Sequence, residues 1–473
     1  MQSTSHLFKD NAARALNDRH LQQALVHVRT KFIDKRLQAI EALPEFDALR
    51  DAARDLKNHV LSRLDEYLLE FEGNVVKRGG HVHWCATPAE ARKAILDLCR
   101  RANAKTVTKG KTMVGEEIGI NDHLAANGIE PIETDLGEYI IQLRGEPPSH
   151  IIAPAVHLTK DQVEETFRKV HTDLDPKRNL AEPSALLNEA RVKLRGRFIA
   201  ADVGITGANF LVADTGSTAI VTNEGNGDLT QTLPRIHIVL AGIEKIVPTM
   251  ADAGLLLRVL ARSATGQEMS AYTTFSTGPR RPGDLDGPQE FHVVLVDNGR
   301  SKLLGTEFEE MLRCIRCGAC LNHCPIYHAV GGHAYGWVYA GPIGAIATPA
   351  LIGIEHAAPL PEASSLCGRC ESVCPVRIPI PKMLRHWREE AFERRLHGAR
   401  SRWTLQLWAA LATRPELYRL ATRIGMRVLS MLAGKRGRFS ALPLAGSWTK
   451  HRDLPAPQGA TFMALYRAKG RVE

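Results

Sequence analysis

The sequence predicts an α/β domain: a parallel or mixed sheet covered on both faces, preceded by a helical segment and followed by a cysteine-rich module and a basic helical tail. Three observations predict this. Helical and strand-like periodicities alternate between about residues 74 and 300. Seven of the nine cysteines fall within residues 314–374, separated by short, regular spacings. Beyond Pro381 the pattern becomes helical again and strongly basic.

The elements follow in order. HLQQALVHVRTKFIDKRLQAI and EFDALRDAARDLKNHVLSRLDEYLLEFEG carry apolar residues at three- and four-residue intervals among charges, so the start of the chain is expected to be helical. NVVKRGGHVHWC (74–85) reads as two short extended pieces around Gly79 and Gly80. Thr87 caps a helix with Pro88 at its first position. AKTVTKGK is strand-like, GEEIGINDHLAANG helical up to Gly128, IEPIETD and SHIIAP strand-like, and TKDQVEETFRKVHT helical. Residues 198–247 are β-rich, with Gly204, Gly207, Gly216 and the run GNG (225–227) read as turns. A helix over MADAGLLLRVLARSATG and a last strand, EFHVVLVDNG, complete the domain.

Composition narrows the function. The chain has 473 residues, 44% hydrophobic and 24% charged, as an ordinary globular protein has. The net charge of +9 admits nucleic acid in principle, but aromatics are only 6% and no nucleic-acid motif occurs. No run of about 18 apolar residues offers a membrane span. MQSTSHLFKDNAARAL lacks the apolar core of a leader, so a cytoplasmic location with reduced thiols is expected.

CIRCGACLNHCP (314–325) is the C-x2-C-x2-C-x3-C-P run of bacterial ferredoxins, in which the fourth cysteine serves a second cluster. Soft thiolates suit iron, and a tight loop points backbone amides at the cluster sulfurs. CGRCESVCP (367–375) is its partner run. Crossing the two gives one [4Fe–4S] cluster to Cys314, Cys317, Cys320 and Cys374, and the other to Cys324, Cys367 and Cys370. Counting back from Cys367 places the missing cysteine at Ser364, a weak fourth ligand position. Zinc on paired CxxC motifs is the alternative, but the crossed, proline-ended double run is more specific. Cys85 and Cys99 read as ordinary buried thiols.

Other candidates carry less. Lys109, Lys111, Glu116 and Glu117 lie in KGKTMVGEEIG between a strand and a helix, where a solvated charged turn is the plainer reading and an anion or substrate site the alternative. DTGST (214–218) and TNEGNGD (222–228) are an anion cradle or hairpin chemistry. His81, His83, His323, His328 and His333 lie near the cysteines in sequence or approach them, with His323 and His333 placed to tune a cluster by hydrogen bonding. In the tail, Arg414, Arg419, Arg423 and Arg427, with Lys435, Arg436 and Arg438, interleave with Leu417, Leu420, Ile424, Val428, Leu429 and Leu432. This basic amphipathic helix is expected to cover its own domain; a membrane surface or a partner is the alternative. No GxGxxG or P-loop motif offers a flavin, nicotinamide or nucleotide site.

CIRCGACLNHCPIY, GGHAYGWVYAGPIGA and SSLCGRCESVCPVRIPIPK resemble the lactate utilization protein B family. KGKTMVGEEIGIN, ETDLGEYIIQL, PSHIIAPAVH, GITGANFLVADTGS and IVTNEGNGDLTQTLPRIHIVLAGIEKIVP resemble its LUD domain, and SWTKHRDLPAPQGATF resembles its longer form. The resemblance implies an α/β LUD domain of the NagB/RpiA/CoA-transferase-like group and an α-helical ferredoxin-type module with the cluster cysteines named above, and the missing cysteine at Ser364 fits the family pattern. It implies an iron–sulfur electron-transfer subunit of a system oxidising L-lactate to pyruvate. The implied partners are two other lactate-utilization proteins, one cysteine-rich, with an unspecified electron acceptor. The expected division is a helical segment 1–72, the LUD domain 73–300, a two-cluster module 301–390, and a basic helical tail and irregular wrap 391–473. Peripheral contact with the inner face of the membrane is compatible with that tail. A redox-sensing or structural iron–sulfur protein and a CoA-transferase-like enzyme carrying clusters are the competing functions.

Overall fold

Short β-branched runs alternate with amphipathic ones from His81 onward, and the chain folds accordingly. The computed structural model describes residues 2–442, 446–449 and 452–470. Its strands begin with β1 His81–Cys85, β2 Thr106–Gly110, β3 Glu130–Glu133, β4 Val203–Thr206 and β5 Phe210–Val212. They continue with β6 Ser217–Thr222, β7 Ile236–Gly242, β8 Ile246–Val247, β9 Tyr272–Ser276 and β10 Glu290–Val296. Six of them form one sheet in the order β1-β10-β7-β4-β2-β3, with every pairing parallel. β7 is buried along its whole length and β10 beyond its first residue, as strands covered on both faces must be. Ile236, Ile238 and Leu240 pack with Ile95, Leu96 and Leu124 on one face. Val239, Ala241 and Val293 pack with Leu68 and Phe71 on the other. Each such buried aliphatic side chain contributes about 1.5–3 kcal/mol relative to exposure.

A second, four-stranded sheet runs in the order β8-β5-β6-β9. β5 and β6 are an antiparallel hairpin, so DTGST is turn and strand chemistry. The structure departs from the sequence expectation at several points. NVVK is the end of the helix Leu64–Lys77, because Leu68, Phe71 and Val75 form one buried helical stripe. SHIIAP forms no strand; the Ser149 N–H donates to the Pro154 carbonyl and closes a loop. GEEIGINDHLAANG is two short helices, Met113–Ile118 and Ile120–Ala126, divided at Gly119. GNG does not stay a turn: residues 226 and 227 open the helix Asn226–Thr232. The helix Pro183–Ala200 and strand β9 are further elements.

The cysteine region consists of short helices and turns around the buried helix Gly341–Ile352, followed by Ile380–Glu393. N-terminal helices brace it. The Arg36 guanidinium donates to the Val373 carbonyl at 3.1 Å. Arg50 donates to the carbonyls of Ser372 and Cys374 at 2.7–3.0 Å. These contacts lie within one compact unit, Met1–Ala391.

The second unit, Phe392–Glu473, contains the helices Ala399–Ala412 and Pro415–Ala433, which pack against each other. These helices carry exposed apolar side chains. Trp403 and Trp408 are 74% and 64% exposed, and Leu417, Leu420, Ile424 and Leu432 are also exposed. Part of the expected wrap is regular: Arg438–Phe439 pairs antiparallel with Leu454–Pro455, and Thr461 caps the helix Phe462–Ala468. Residues 443–445, 450 and 451 of that stretch lie outside the described residues.

Candidate functional site

The two cysteine runs build the same local structure twice. Arg316 and Gly318 flank Cys317, and Leu366 and Gly368 flank Cys367; all four flanking residues are left-handed, with φ of 58°, 73°, 54° and 79°. Four-residue helices follow each loop, Ala319–Asn322 and Arg369–Ser372. Glycine takes a left-handed turn without penalty, whereas Arg316 and Leu366 do not. The repeat sets Cys317 against Cys367, Cys320 against Cys370, Cys324 against Cys374, and Cys314 against Ser364.

The cysteine side chains and nearby backbone fit an iron–sulfur cluster. The Ile378 N–H donates to Cys374 Sγ at 3.4 Å. Backbone amides of Ala319, Tyr327 and Glu371 serve Cys317, Cys324 and Cys370 in the same way. Burial, then neighbouring sulfurs, pushes the thiols of Cys317 and Cys370 up to about 12. Such thiols hold their protons until a metal replaces them. Cys367 is exposed, while Cys317, Cys320, Cys324, Cys370 and Cys374 are buried. Ser364 Oγ accepts from the Leu366 N–H at 3.1 Å, and its carbonyl accepts from Arg388 at 2.8 Å. Among the described residues, no group of three or more His, Cys, Asp or Glu is gathered to hold a single metal ion.

Beside the first loop lies a cavity of about 170 Å³. The segments after β2, β3, β4 and β7 open on it, at the carboxyl edge of the sheet where ligands bind in α/β folds. Arg316 and Cys317 share its lining with Lys111, Glu244 and Lys245. Arg300 ties the floor together: it binds Glu117 through two contacts at 2.6 and 2.9 Å, and its Nε lies 2.9 Å from Glu244. Burial alone would raise the Glu244 carboxyl, but Arg300, Lys245 and Arg316 hold it at about 2. Burial pushes the Lys245 amine down to about 8. The Arg316 guanidinium stacks 4.1 Å above the Tyr339 ring.

The other sequence candidates separate. Lys109 is buried between Glu116 at 2.8 Å and Glu133 at 2.7 Å. Burial works against its charge, but Glu116, Glu133 and Glu138 outweigh it and raise its pKa. Lys111 lines the cavity and pairs with Asp135. Glu117 is held by Arg300, Asn298 and Tyr339. His83 pairs with His292, His328 with the Asn322 carbonyl, and His333 with the Pro147 carbonyl. His323 Nδ1 bonds the Ala319 carbonyl. Sequence reasoning missed Arg316, Lys245, Glu244, Arg36 and Arg50. Only Arg316 carried a signal, by its place inside the cysteine loop.

Known proteins agree with this anatomy. The chain matches the LUD domain over residues 68–296, a 4Fe-4S dicluster domain over 310–378, and the C-terminal domain of lactate utilisation protein B over 393–471. It is 42% identical to lactate utilization protein B of Bacillus licheniformis, over 96% of this chain and 95% of that one. Identity is 41% to the Bacillus subtilis protein of the same name, with the same coverages. It is also 41% to the Escherichia coli "Uncharacterized electron transport protein YkgF", over 97% and 96%. The dicluster match spans both cysteine runs, and the protein carries two [4Fe–4S] clusters.

Proposed function

The chain belongs to the lactate utilization protein B family, and from that premise we propose that it is the electron-transfer subunit of a multi-protein system oxidising L-lactate to pyruvate. The doubled cysteine cradle is the observation that carries this reading. Cys314, Cys317, Cys320 and Cys374 hold one cluster in this reading, and Cys324, Cys367 and Cys370 the other, with Ser364 at the weak fourth position. When bound, a [4Fe–4S] cluster takes up and returns one electron at a time. The chain's part is to seat two such groups, hold their thiolates with backbone N–H donors, and shield most of the sulfurs from water. Functionally we divide it into a helical brace 1–72, a LUD domain 73–300, a cluster module 301–390 and a tail 391–473. Two partner proteins, one cysteine-rich, complete the system and its reaction.

CoA-transferase chemistry needs a free glutamate nucleophile. Of the three candidate glutamates, Glu116 is occupied by Lys109 and Glu117 by Arg300, which leaves that alternative resting on Glu224.

We further propose that the tail rests on an anionic membrane surface. Residues 399–438 hold nine Lys and Arg and one Glu, a surplus of eight against a net charge of +9 for the whole chain. The exposed Trp403 and Trp408 suit the bilayer interface. No helix among the described residues is long and apolar enough to cross a membrane.

The test is anaerobic. The cluster-loaded chain is mixed with both partner proteins and L-lactate and followed by EPR. The expected result is the signal of reduced clusters; clusters that stay oxidised beside competent partners overturn the reading.

A further inference from the structure

The cavity between the sheet edge and the first cysteine loop is not used by electron relay alone. On its Glu244 side, buried cations outnumber carboxylates. Lys57, Lys245 and Arg300 are buried, and the Arg316 side chain is 14% exposed. Only two carboxylates, Glu117 and Glu244, stand among these four cations. Both carboxylates lean on Arg300, and the Lys57 ammonium donates to the Glu244 carbonyl at 2.6 Å. Three cations line the cavity: Lys111 is paired with Asp135 and its backbone N–H donates to Glu138, which also lines it, whereas Lys245 and Arg316 are left over. Lys245 is 7% exposed and makes no ion pair among the described residues. Arg316 comes no nearer than 3.9 Å to Glu244, and its buried Nη1 has no hydrogen-bond partner among the described residues. Buried cations are stable only when paired.

We propose that Arg316 and Lys245 bind the carboxylate of a small organic acid of the 2-hydroxy or 2-oxo class in this cavity. The size fits: about 170 Å³ lies below the range of drug-sized pockets, about 300–1,000 Å³, and leaves no room for a dinucleotide. The lining fits as well. Ile151, Ile152 and Leu260 offer an apolar wall for a short carbon chain, and Asn209 and Thr222 offer polar groups for its oxygens. The neighbouring thiolates attract the same cations, since Cys314 acts on both Lys245 and Arg316. The loop repeat separates the two roles. The second loop builds the same turn with Leu366 where the first has Arg316, so the cradle itself needs no arginine. In the first loop the Arg316 guanidinium instead stacks on Tyr339 and lines the cavity. The choice of a hydroxy or oxo acid rests on the proposed lactate function; the choice of a carboxylate rests on the charges alone.

The experiment is calorimetric titration of the full, cluster-loaded chain, anaerobically and without partner proteins, using L-lactate, pyruvate and the neutral analogue lactamide. The acids are expected to bind saturably, and lactamide about tenfold or more weakly, since a charge-assisted pair is lost. Lys245→Met and Arg316→Gln, with iron content checked, are expected to weaken pyruvate binding about tenfold or more. Arg316→Gln can lose iron because it adjoins Cys317; Lys245→Met and the lactamide comparison on the unaltered chain then decide. Equal binding of lactamide and acid, no saturable binding, or undiminished affinity in an iron-replete Lys245→Met chain overturns the site and leaves the cations to the cluster. The electron-transfer reading fails separately, by clusters that lactate and partners do not reduce.

Discussion

Ser364 and Cys314 occupy the same place in two copies of one loop, and oxygen against sulfur is the difference between them. Oxygen is a poor ligand for iron that prefers soft thiolate. The second copy is also the more open one, since Cys367 is exposed. Mild oxidation is therefore expected to produce a three-iron EPR signal from the Cys324, Cys367 and Cys370 site first, and Ser364→Cys to delay it. Unchanged oxidation kinetics in Ser364→Cys would show that the fourth iron is held in another way. Arg50 makes a second prediction at this scale. Its guanidinium satisfies the Ser372 and Cys374 carbonyls, and a buried carbonyl without a donor costs about 1–3 kcal/mol. Arg50→Met is expected to lower iron content and speed cluster loss, as measured by iron and sulfide assay; full retention would mean that the turn stands without it. The cysteines were legible because their spacing is local. Arg50 and Lys245 were not, because each meets its neighbours from a distant part of the chain.

At the scale of elements, the strands that sequence identified best are the continuous apolar ones, IHIVLAG and EFHVVLV. SHIIAP failed because its isoleucines pack toward the cavity and core from a loop rather than from a ladder. Inside β7, His237 is buried with Nε2 2.8 Å from Thr206 Oγ1. Burial, then His292, pushes it down to about 3 from 6.5. The folded state thus keeps His237 neutral, while the unfolded chain takes up a proton below about pH 6.5. Stability is therefore full above that pH and falls by about 1.4 kcal/mol per pH unit as the pH drops toward 3. Hydrogen exchange of β7 amides at pH 7.5 and 5.5 is expected to show this loss, with a smaller one in His237→Gln; equal losses would assign it to other groups. The tail helices make their own prediction. With Trp403 and Trp408 exposed among basic residues, the chain is expected to sediment with vesicles containing anionic lipid and not with neutral ones. Salt should weaken this, since screening is strong at exposed charges. Trp403→Ser with Trp408→Ser should reduce binding about tenfold or more, and unchanged sedimentation would sink the membrane assignment.

At the scale of the whole molecule, the proposed role is relay rather than a complete reaction. Lactate oxidation releases two electrons and needs a base to take a proton, whereas each cluster handles one electron. No nucleotide-binding run of the GxGxxG or P-loop kind occurs in the sequence. Two of the three glutamates that sequence offered are committed, Glu116 to Lys109 and Glu117 to Arg300, whereas Glu224 has no ion pair among the described residues. Glu244 is held ionised by the cations around it. A chain so built can hold an acid beside Cys317 without completing its oxidation. The purified chain with intact clusters is therefore expected not to turn over L-lactate with an artificial dye. Adding both partner proteins is expected to restore turnover, and Cys317→Ala to abolish it. Robust turnover by the single chain would move the chemistry into the cavity. Lys245 would then be the first residue to mutate, since Lys109 is buried between two carboxylates and does not line the cavity.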